Sequence, residues 1–394
     1  MIGRNFRSFG EMERNKIQCF GDDMWWIWGL VLQFIDVDDI YKILLVSKKL
    51  HEFLIPVRHI AIDWSGKTSI TPLQWKLSNA VKCRGIVDDD LINLNVPDRI
   101  KAHRSFCCTY GKITNKGLVY LKGFHTVDFE RINLITDIGL AELKGVHTLK
   151  LRYCESITNY GLEHLKNVHT LKLKYNNNIT NKGLAYLKDI KKLTLRGCCG
   201  ISDNGLIHLK NVPYLNLSFC DKITNNGLAH LKNVRDLNLS GCFMITDNGL
   251  QYLKGIRVLK LRWCSEITDH GLEYLKGIQS LSLSHCYITD RGLEHLKGIH
   301  TLELVYCEEI TDKGLRHLKG IHTLSICGGK ITGTGLGSLI GIRQLKLSSC
   351  DNITNAGLIQ LKYLDKLSLL RCNQIDVDEL KQKMIIKRLD VQYR

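Results

Sequence analysis

Nowhere in this 394-residue chain does an apolar run reach the ~18 residues of a membrane-spanning helix. The longest candidate, Met24 to Ile35, carries Trp25, Trp26 and Trp28, but Asp22 and Asp23 precede it and Asp36 follows. No small-residue cleavage site accompanies it, which speaks against a signal peptide. Equally absent is a nucleophile standing with a base at a recognisable spacing, so no catalytic residue and no enzyme activity are expected, and no cofactor. Acidic residues are in short supply too. Asp and Glu total 39 against 55 Lys and Arg, a formal net charge of +16. An excess of that size raises a nucleic-acid partner. Much of it, however, falls in one column, Lys122, Lys144, Lys166, Lys188, Lys210, Lys232, Lys254, Lys276, Lys297, Lys319 and Lys362. A charge copied at a fixed interval is expected to be a solvated outer face.

What fills the chain instead is a unit of the form Ile-Thr-Asp-x-Gly-Leu-x-x-Leu-Lys-x-Ile-x-x-Leu-x-Leu-x-x-Cys. Its opening isoleucine recurs at 113, 135, 157, 179, 201, 223, 245, 267, 288, 310, 331, 353 and 375. Ten of those spacings are 22 residues and two are 21. One such unit cannot bury its own apolar face, so the units must stack into a solenoid. Within residues 157–178, Leu171-Lys172-Leu173 alternates like a strand with one buried face. Thr158 or Asn159 can cap a short helical turn, and Leu162 and Leu165 share that turn's inner side. The expected architecture is an α/β solenoid, with a parallel sheet lining the inner curve and helical turns outside. Glycine recurs in the turn at 117, 139, 161, 183 and onward to 357. It costs about 1 kcal/mol there relative to alanine, which implies close approach between neighbouring units or a φ that the turn requires.

Nine of the 15 cysteines share one position: Cys154, Cys198, Cys220, Cys242, Cys264, Cys286, Cys307, Cys350 and Cys372. Adjacent strands are spaced about 4.8 Å apart, within the Cα range of a disulfide, but side chains of one column point the same way and do not converge. Ile132, Asn176 and Gly329 also occupy the position. The cysteines are expected to be reduced and to act as small apolar fillers. His125, His147 and His169 form another column, as do His300 and His322. With Lys191 and Arg235 near the equivalent place, a solvated edge is expected and not a metal site.

The array has ends. Glu379 stands in the glycine place and Lys383 in a leucine place, while Leu389 and Val391 complete a last strand before Arg394. Such polarisation suits a terminal cap, and Lys387, Arg388 and Arg394 discourage edge pairing. At the other end Cys83, Ile86, Leu91, Leu94 and Ile100 match the repeat loosely, and Ser105–Tyr110 reads as an extra stretch before Ile113. The domain boundaries expected are a tail (1–21), a helical module (22–60), degenerate lead-in repeats (61–112) and the solenoid proper (113–394).

The repeat resembles the leucine-rich repeats, specifically their cysteine-containing subfamily, across about three quarters of the chain. That resemblance implies a horseshoe and a binding role, with shorter outer helices than members of that subfamily commonly have.

Residues 22–55 depart from the repeat. Two short apolar helices are expected there, with Asp36 or Asp38 capping the second. The segment resembles an F-box: Ile35-Asp36-x-x-Asp39-Ile40 follows that family's Leu-Asp-x-x-Asp-Leu, and Val46-Ser47-Lys48 falls where Val-Cys-Lys is common. Ile27, Val31 and Leu32 fit its first-helix apolar positions. Asp23-Met24 stands where the family has Leu-Pro, and the tryptophan usual after the Val-Cys-Lys site is missing. The resemblance implies a substrate receptor of a Skp-cullin-F-box ubiquitin ligase. Ile27, Val31, Leu32, Phe34, Ile35, Asp39, Ile40, Val46 and Lys48 would contact the Skp-family adaptor, and the repeats would hold a target protein. The Lys-, Asn- and Ile-rich wording of the units is similar to repeat proteins of large DNA viruses of amoebae. A cytoplasmic location is expected, the host's for a viral protein, with the nucleus open.

Residues between and just beyond the strand leucines face the inner curve and differ from unit to unit. They include Lys150, Arg152, Tyr153, Lys172, Lys174, Tyr175, Arg196, Phe219, Lys260, Arg262, Trp263 and Tyr306. Aromatic and Arg side chains are enriched at interface hot spots, so this face is the expected substrate site. Two alternatives stay open: a repeat scaffold with no ligase link, and stacking of single-stranded nucleic acid on the same rings and cations.

Overall fold

A computed structural model describes residues 61–64 and 80 by their backbone, and residues 81–92 and 104–392 in full. The segment from 22 to 60, with the adaptor-contact positions expected at Ile27, Val31, Leu32, Phe34, Ile35, Asp39, Ile40, Val46 and Lys48, lies outside the described residues, as do Leu94, Ile100 and Arg394.

Sixteen parallel strands form one open sheet in strict chain order. They are β1 (Ala61–Trp64), β2 (Ala80–Arg84), β3 (Ser105–Thr109), β4 (Thr126–Glu130), β5 (Thr148–Arg152), β6 (Thr170–Lys174), β7 (Lys192–Thr194) and β8 (Tyr214–Asn216). There follow β9 (Asp236–Asn238), β10 (Val258–Arg262), β11 (Ser280–Ser284), β12 (Thr301–Val305), β13 (Thr323–Cys327), β14 (Gln344–Ser348), β15 (Tyr363–Leu370) and β16 (Ile385–Gln392). Each strand from β2 to β15 is followed by a short helical turn on the opposite side, such as Asp203–Leu206 or Asp269–Leu272. Four-residue turns of this kind are the shortened outer helices that a 22-residue unit allows.

The core is a slab between sheet and turns. Leu162, Leu171 and Leu173 of one unit are buried, and so are their equivalents Leu228, Leu237 and Leu239 further along. Because the period is uniform, the strands stay in register unit after unit, with Leu149 beside Leu171 and Leu171 beside Leu193. The core is thus a set of continuous leucine columns, and no unit owns a core by itself.

Two expectations are corrected. Ser105–Tyr110 is no insertion: it is a full strand, paired Phe106 to Val127 and Cys108 to Phe129, and it delivers Phe106 into an aromatic cluster with Phe124 and Phe129. Cys107 in its middle faces outward and disguised the alternation. The cysteine column, in turn, is more than apolar filling. Cys220 Sγ donates to the Leu195 carbonyl (3.0 Å), Cys242 to Leu217 (3.2 Å) and Cys264 to Leu239 (3.3 Å). Asn176, standing in the same column, donates its amide to the Leu151 carbonyl at 3.0 Å and accepts from Cys154 N at 2.8 Å. Several occupants of the position thus donate to a buried carbonyl, a task a thiol performs weakly and an amide well, while Ile132 and Gly329 fill it with no donor. The fourteen described cysteines are all free thiols. Burial pushes the thiols of Cys154 and Cys264 up to about 11 and that of Cys242 up to about 12.

The turn glycines sit against the preceding unit. A Cβ on Gly161 would lie 2.5 Å from Asp137 Oδ1, and one on Gly183 would lie 2.6 Å from Asn159 Oδ1. Asp137 accepts from Thr158 N (2.7 Å) and Thr158 Oγ1 (2.5 Å), and that hydroxyl accepts in turn from Tyr160 N. Thr158 thus holds the Tyr160 amide just ahead of its own turn, whereas Asn159 reaches forward to Thr180. The same relay joins Asp203 to Thr224, Asp247 to Thr268 and Asp290 to Thr311. Glycine is required because a carboxylate or amide occupies the space a methyl group would take.

At the C-terminal end the relay closes. Asn355 accepts from Asp376 N and donates to Glu379 and the Asp376 carbonyl. Asp376 caps the helix Val377–Lys383, and Lys383 is exposed in an ion pair with Glu379 at 2.7 Å. Lys387 and Arg388 pair with Asp365 and Asp390 along the last strand.

Candidate protein-interaction face

Immediately after each strand the chain turns through a left-handed residue. The column runs Tyr110, Arg131, Tyr153, Tyr175, Phe219, Trp263, His285, Tyr306, Ser349 and Arg371, all with φ between 50° and 61°, interrupted by Gly197, Gly241 and Gly328. Left-handed backbone costs a non-glycine residue roughly 1–2 kcal/mol. Bulky aromatics are poor occupants of it, and glycine demonstrably suffices at three of the positions.

Their rings form a rail along one edge of the concave face. Tyr153 and Tyr175 stack with centroids 4.8 Å apart and planes within 10°. Tyr175 leans over Gly197, and Phe219 leans over Gly241 to meet Trp263 at 5.6 Å. His285 and Tyr306 continue it at 5.1 Å. Arginines are threaded through the rail. Arg131 lies over both Tyr110 and Tyr153, and Arg196 lies 4.8 Å from the Phe219 centroid while its Nε donates to Tyr175 Oη. Trp263 and Tyr306 each remain 45% exposed.

Inside the rail lie the strand side chains that point away from the core. The structure places all twelve residues expected from sequence on this face or its rim, but not in one state. Lys150 and Arg152 are engaged: Asp128, itself buried, accepts from Lys150 Nζ (2.9 Å) and from Arg152 (3.0 Å), and Glu130 pairs with Arg152 at 3.0 Å. Arg262 is held by Glu303 and by Ser282 Oγ at 3.0 Å. Burial alone would raise the Glu303 carboxyl, but hydrogen bonds from Arg262 and Ser282 outweigh it and hold the group below its ordinary value. Lys172, Lys174 and Lys192 have no carboxylate partner among the described residues. Beyond them the middle of each strand is small and polar, with Thr194, Ser218 and Ser240 buried and Asn216 and Asn238 half-buried, while Tyr214 and Asp236 stand at the strand starts.

Asp128, Glu130 and Glu303 were missed in the sequence, although a signal existed. Asp128 and Glu130 fall on outward-facing strand positions of the unit next to Lys150 and Arg152, and Glu303 on that of the second unit after Arg262, as aligning the strands in register shows. The left-handed column was missed as well, because Tyr, Phe and Trp do not announce φ > 0. Its one clue was the alternation of aromatics with Gly197, Gly241 and Gly328 at a single repeat position.

The remaining columns are accounted for. The eleven outer lysines are exposed. His125, His147 and His169 stack at 4.5 and 4.4 Å, and each Nδ1 is turned to the hydroxyl of the threonine that follows it. Among the described residues no group of three His, Cys, Asp or Glu is placed to hold a metal ion, and no helix is long and apolar enough to cross a membrane.

A family model described as "Leucine Rich repeat" matches residues 164–188, 208–231, 230–254 and 278–297. No curated protein matches the sequence. Among solved structures the chain is similar to an internalin (inlF) of Listeria monocytogenes, with 21% identity, a TM-score of 0.52, and 78% of this chain and 89% of that one covered. A leucine-rich-repeat protein of Leptospira interrogans matches with 18% identity, a TM-score of 0.49, and coverage of 86% and 97%. The yeast Rad7 and Elc1 complex matches with 15% identity, a TM-score of 0.47, and coverage of 72% and 83%. At this identity the internalin shares the leucine-rich-repeat fold with this chain.

Proposed function

We propose that this leucine-rich-repeat protein is the target-binding subunit of a Skp-cullin-F-box ubiquitin ligase, holding a protein on its concave face and an adaptor on its N-terminal module. The observation that supports target binding is the left-handed aromatic rail. Aromatics stand at positions where the backbone would accept glycine more cheaply, and glycine already serves at Gly197, Gly241 and Gly328. Folding does not ask for those rings, so a partner is the reason to keep them.

The ligase reading rests on the sequence Ile35-Asp36-x-x-Asp39-Ile40 and Val46-Ser47-Lys48 placed directly before the repeats. The chain would perform no chemistry in this role. It would raise the effective concentration of the target beside the transferring enzyme, and tethering alone supplies factors of roughly 10²–10⁴ in apparent affinity. Its test is a pull-down of purified Skp-family adaptor with the full chain and with a variant lacking residues 22–55. Recovery by the full chain alone supports the proposal. Equal recovery by both, or by neither, refutes the ligase part and leaves a binding scaffold.

A further inference from the structure

The lysines copied along the outer side have a companion row. Three residues after each, from Lys122 to Lys319, comes the position where the chain leaves its helical turn and re-enters the sheet. Lys191, Arg235 and Arg257 stand there, with Arg343 further on and histidines in five other units, among them His147, His169 and His300. Backbone bonds join the row from unit to unit: Lys191 N donates to the His169 carbonyl, Arg257 N to that of Arg235 and His322 N to that of His300. The residue directly after each lysine from Lys122 to Lys319 is glycine or asparagine, with Asp189 as the one exception. Two rows of cations therefore run together along one lateral edge, and Lys188, Lys191, Lys232, Arg235, Lys254 and Arg257 are all exposed.

Like charges placed side by side are destabilising, and acids do little to relieve them here. Among the described residues Lys166 is paired with Glu163 and Lys297 with Glu294, whereas Lys191, Arg235 and Arg257 have no carboxylate partner. The acids collect on the opposite edge, where the chain leaves the sheet. Glu155, Asp221, Glu266, Glu309 and Asp351 are exposed there. The protein is thus polar across its width, basic on the edge where strands begin and acidic on the edge where they end. Beside the basic rows a shallow cleft of about 250 Å³ is lined by Lys210, Lys232, His230 and Ile207. It is smaller than a pocket for a drug-sized ligand and has room for one small anionic group.

The placement of the rows selects the shape of the anion. In a horseshoe of repeats the side chains of the concave face converge and those of the outer face diverge, whereas those of a lateral edge point the same way. A flat surface meets such an edge along its whole length, and a rod-shaped polyanion meets a short part of it. We propose that this edge docks the protein on an anionic lipid bilayer, with Lys191, Arg235, Arg257 and the lysines beside them against the headgroups. The concave face then stands upright on the bilayer and stays open, so the docking edge is independent of what that face holds. Attraction of this kind is worth roughly fivefold in partitioning for each Lys or Arg near the surface.

The test is co-sedimentation of the full chain with two kinds of vesicle at about 0.15 M salt, one of phosphatidylcholine alone and one carrying about one third phosphatidylserine. A triple variant of the basic edge, Lys191→Gln with Arg235→Gln and Arg257→Gln, is set against a charge-matched one on the side of the acidic edge, Lys182→Gln with Lys222→Gln and Lys313→Gln. The expected result is binding to the phosphatidylserine vesicles alone, falling at least about 10-fold in the first variant and persisting in the second, with both melting as wild type. Binding that survives the first variant, or falls equally in both, overturns the docking edge. Binding to both kinds of vesicle alike, or to neither, does the same. Wild-type protein that stays on the vesicles at about 1 M salt is held by something other than charge, which also overturns the proposal without recourse to a variant. Displacement from the vesicles by a DNA duplex at equal phosphate concentration would assign the edge to nucleic acid instead.

Discussion

On its outer side each unit is nearly a copy of its neighbour; on its inner rim one position passes through Tyr, Arg, Gly, Phe, Trp, His and Ser. The contrast extends to where strain is tolerated. Outside, Gly161 and its equivalents remove a side chain so that Asp137 can bridge to Thr158, and every group in the relay is satisfied. Inside, Phe219, Trp263 and Tyr306 hold unfavourable left-handed backbone and remain partly exposed, and Lys172, Lys174 and Lys192 stand close together with no carboxylate ion pair among the described residues. The outer columns are organised for stacking, and the inner ones carry costs that stacking does not explain.

The strongest way to break this comparison is within one unit. Leu217→Ala, in the buried column, should cost about 2–5 kcal/mol, whereas Phe219→Gly, two residues on, should change stability by less than about 1 kcal/mol, because relief of left-handed strain offsets lost ring contacts. Urea unfolding of both variants checks it, and comparable losses would erase the distinction.

Next in size is the glycine column. Gly161→Ala should cost about 2 kcal/mol, against the direction of helix propensity. In an Asp137→Ala background the penalty should fall towards zero, since the obstructing carboxylate is gone. An additive double-mutant cycle would show that Asp137 is not what the glycine accommodates.

A smaller effect sharpens the inner face. The Glu303 carboxyl, held below its ordinary value, contributes stability that is present above its unfolded-state pKa and is lost as pH falls through its folded one. In Arg262→Gln burial should prevail and carry its titration upward, which carboxyl NMR would follow. Smallest of all is the outer lysine column: Lys144→Gln should change stability by no more than about 0.5 kcal/mol.

How much of this was readable depends on what each feature repeats. The leucine columns, the sheet order and the C-terminal cap follow from a period that one chain displays many times. The pairing of Lys150 and Arg152 with Asp128 depends on register between units, which the same period supplies once the strands are laid side by side. The left-handed column was hidden because residue type there contradicts backbone preference. Ser105–Thr109 was hidden because Cys107 and Cys108 replace the usual alternation of polar residue and leucine. The segment from 22 to 60 was read from motif alone, and its partner remains a proposal.

The central claim is that the aromatic rail is kept for a partner and not for the fold. Its most direct test is one doubly substituted chain, Phe219→Gly with Trp263→Gly, compared with wild type for thermal stability and for recovery of co-purifying protein by quantitative mass spectrometry. The account predicts a melting temperature within a few degrees of wild type and at least about 10-fold loss of the concave-face partner, with adaptor recovery unchanged. A variant that unfolds, or one that retains the same partner at the same level, contradicts it.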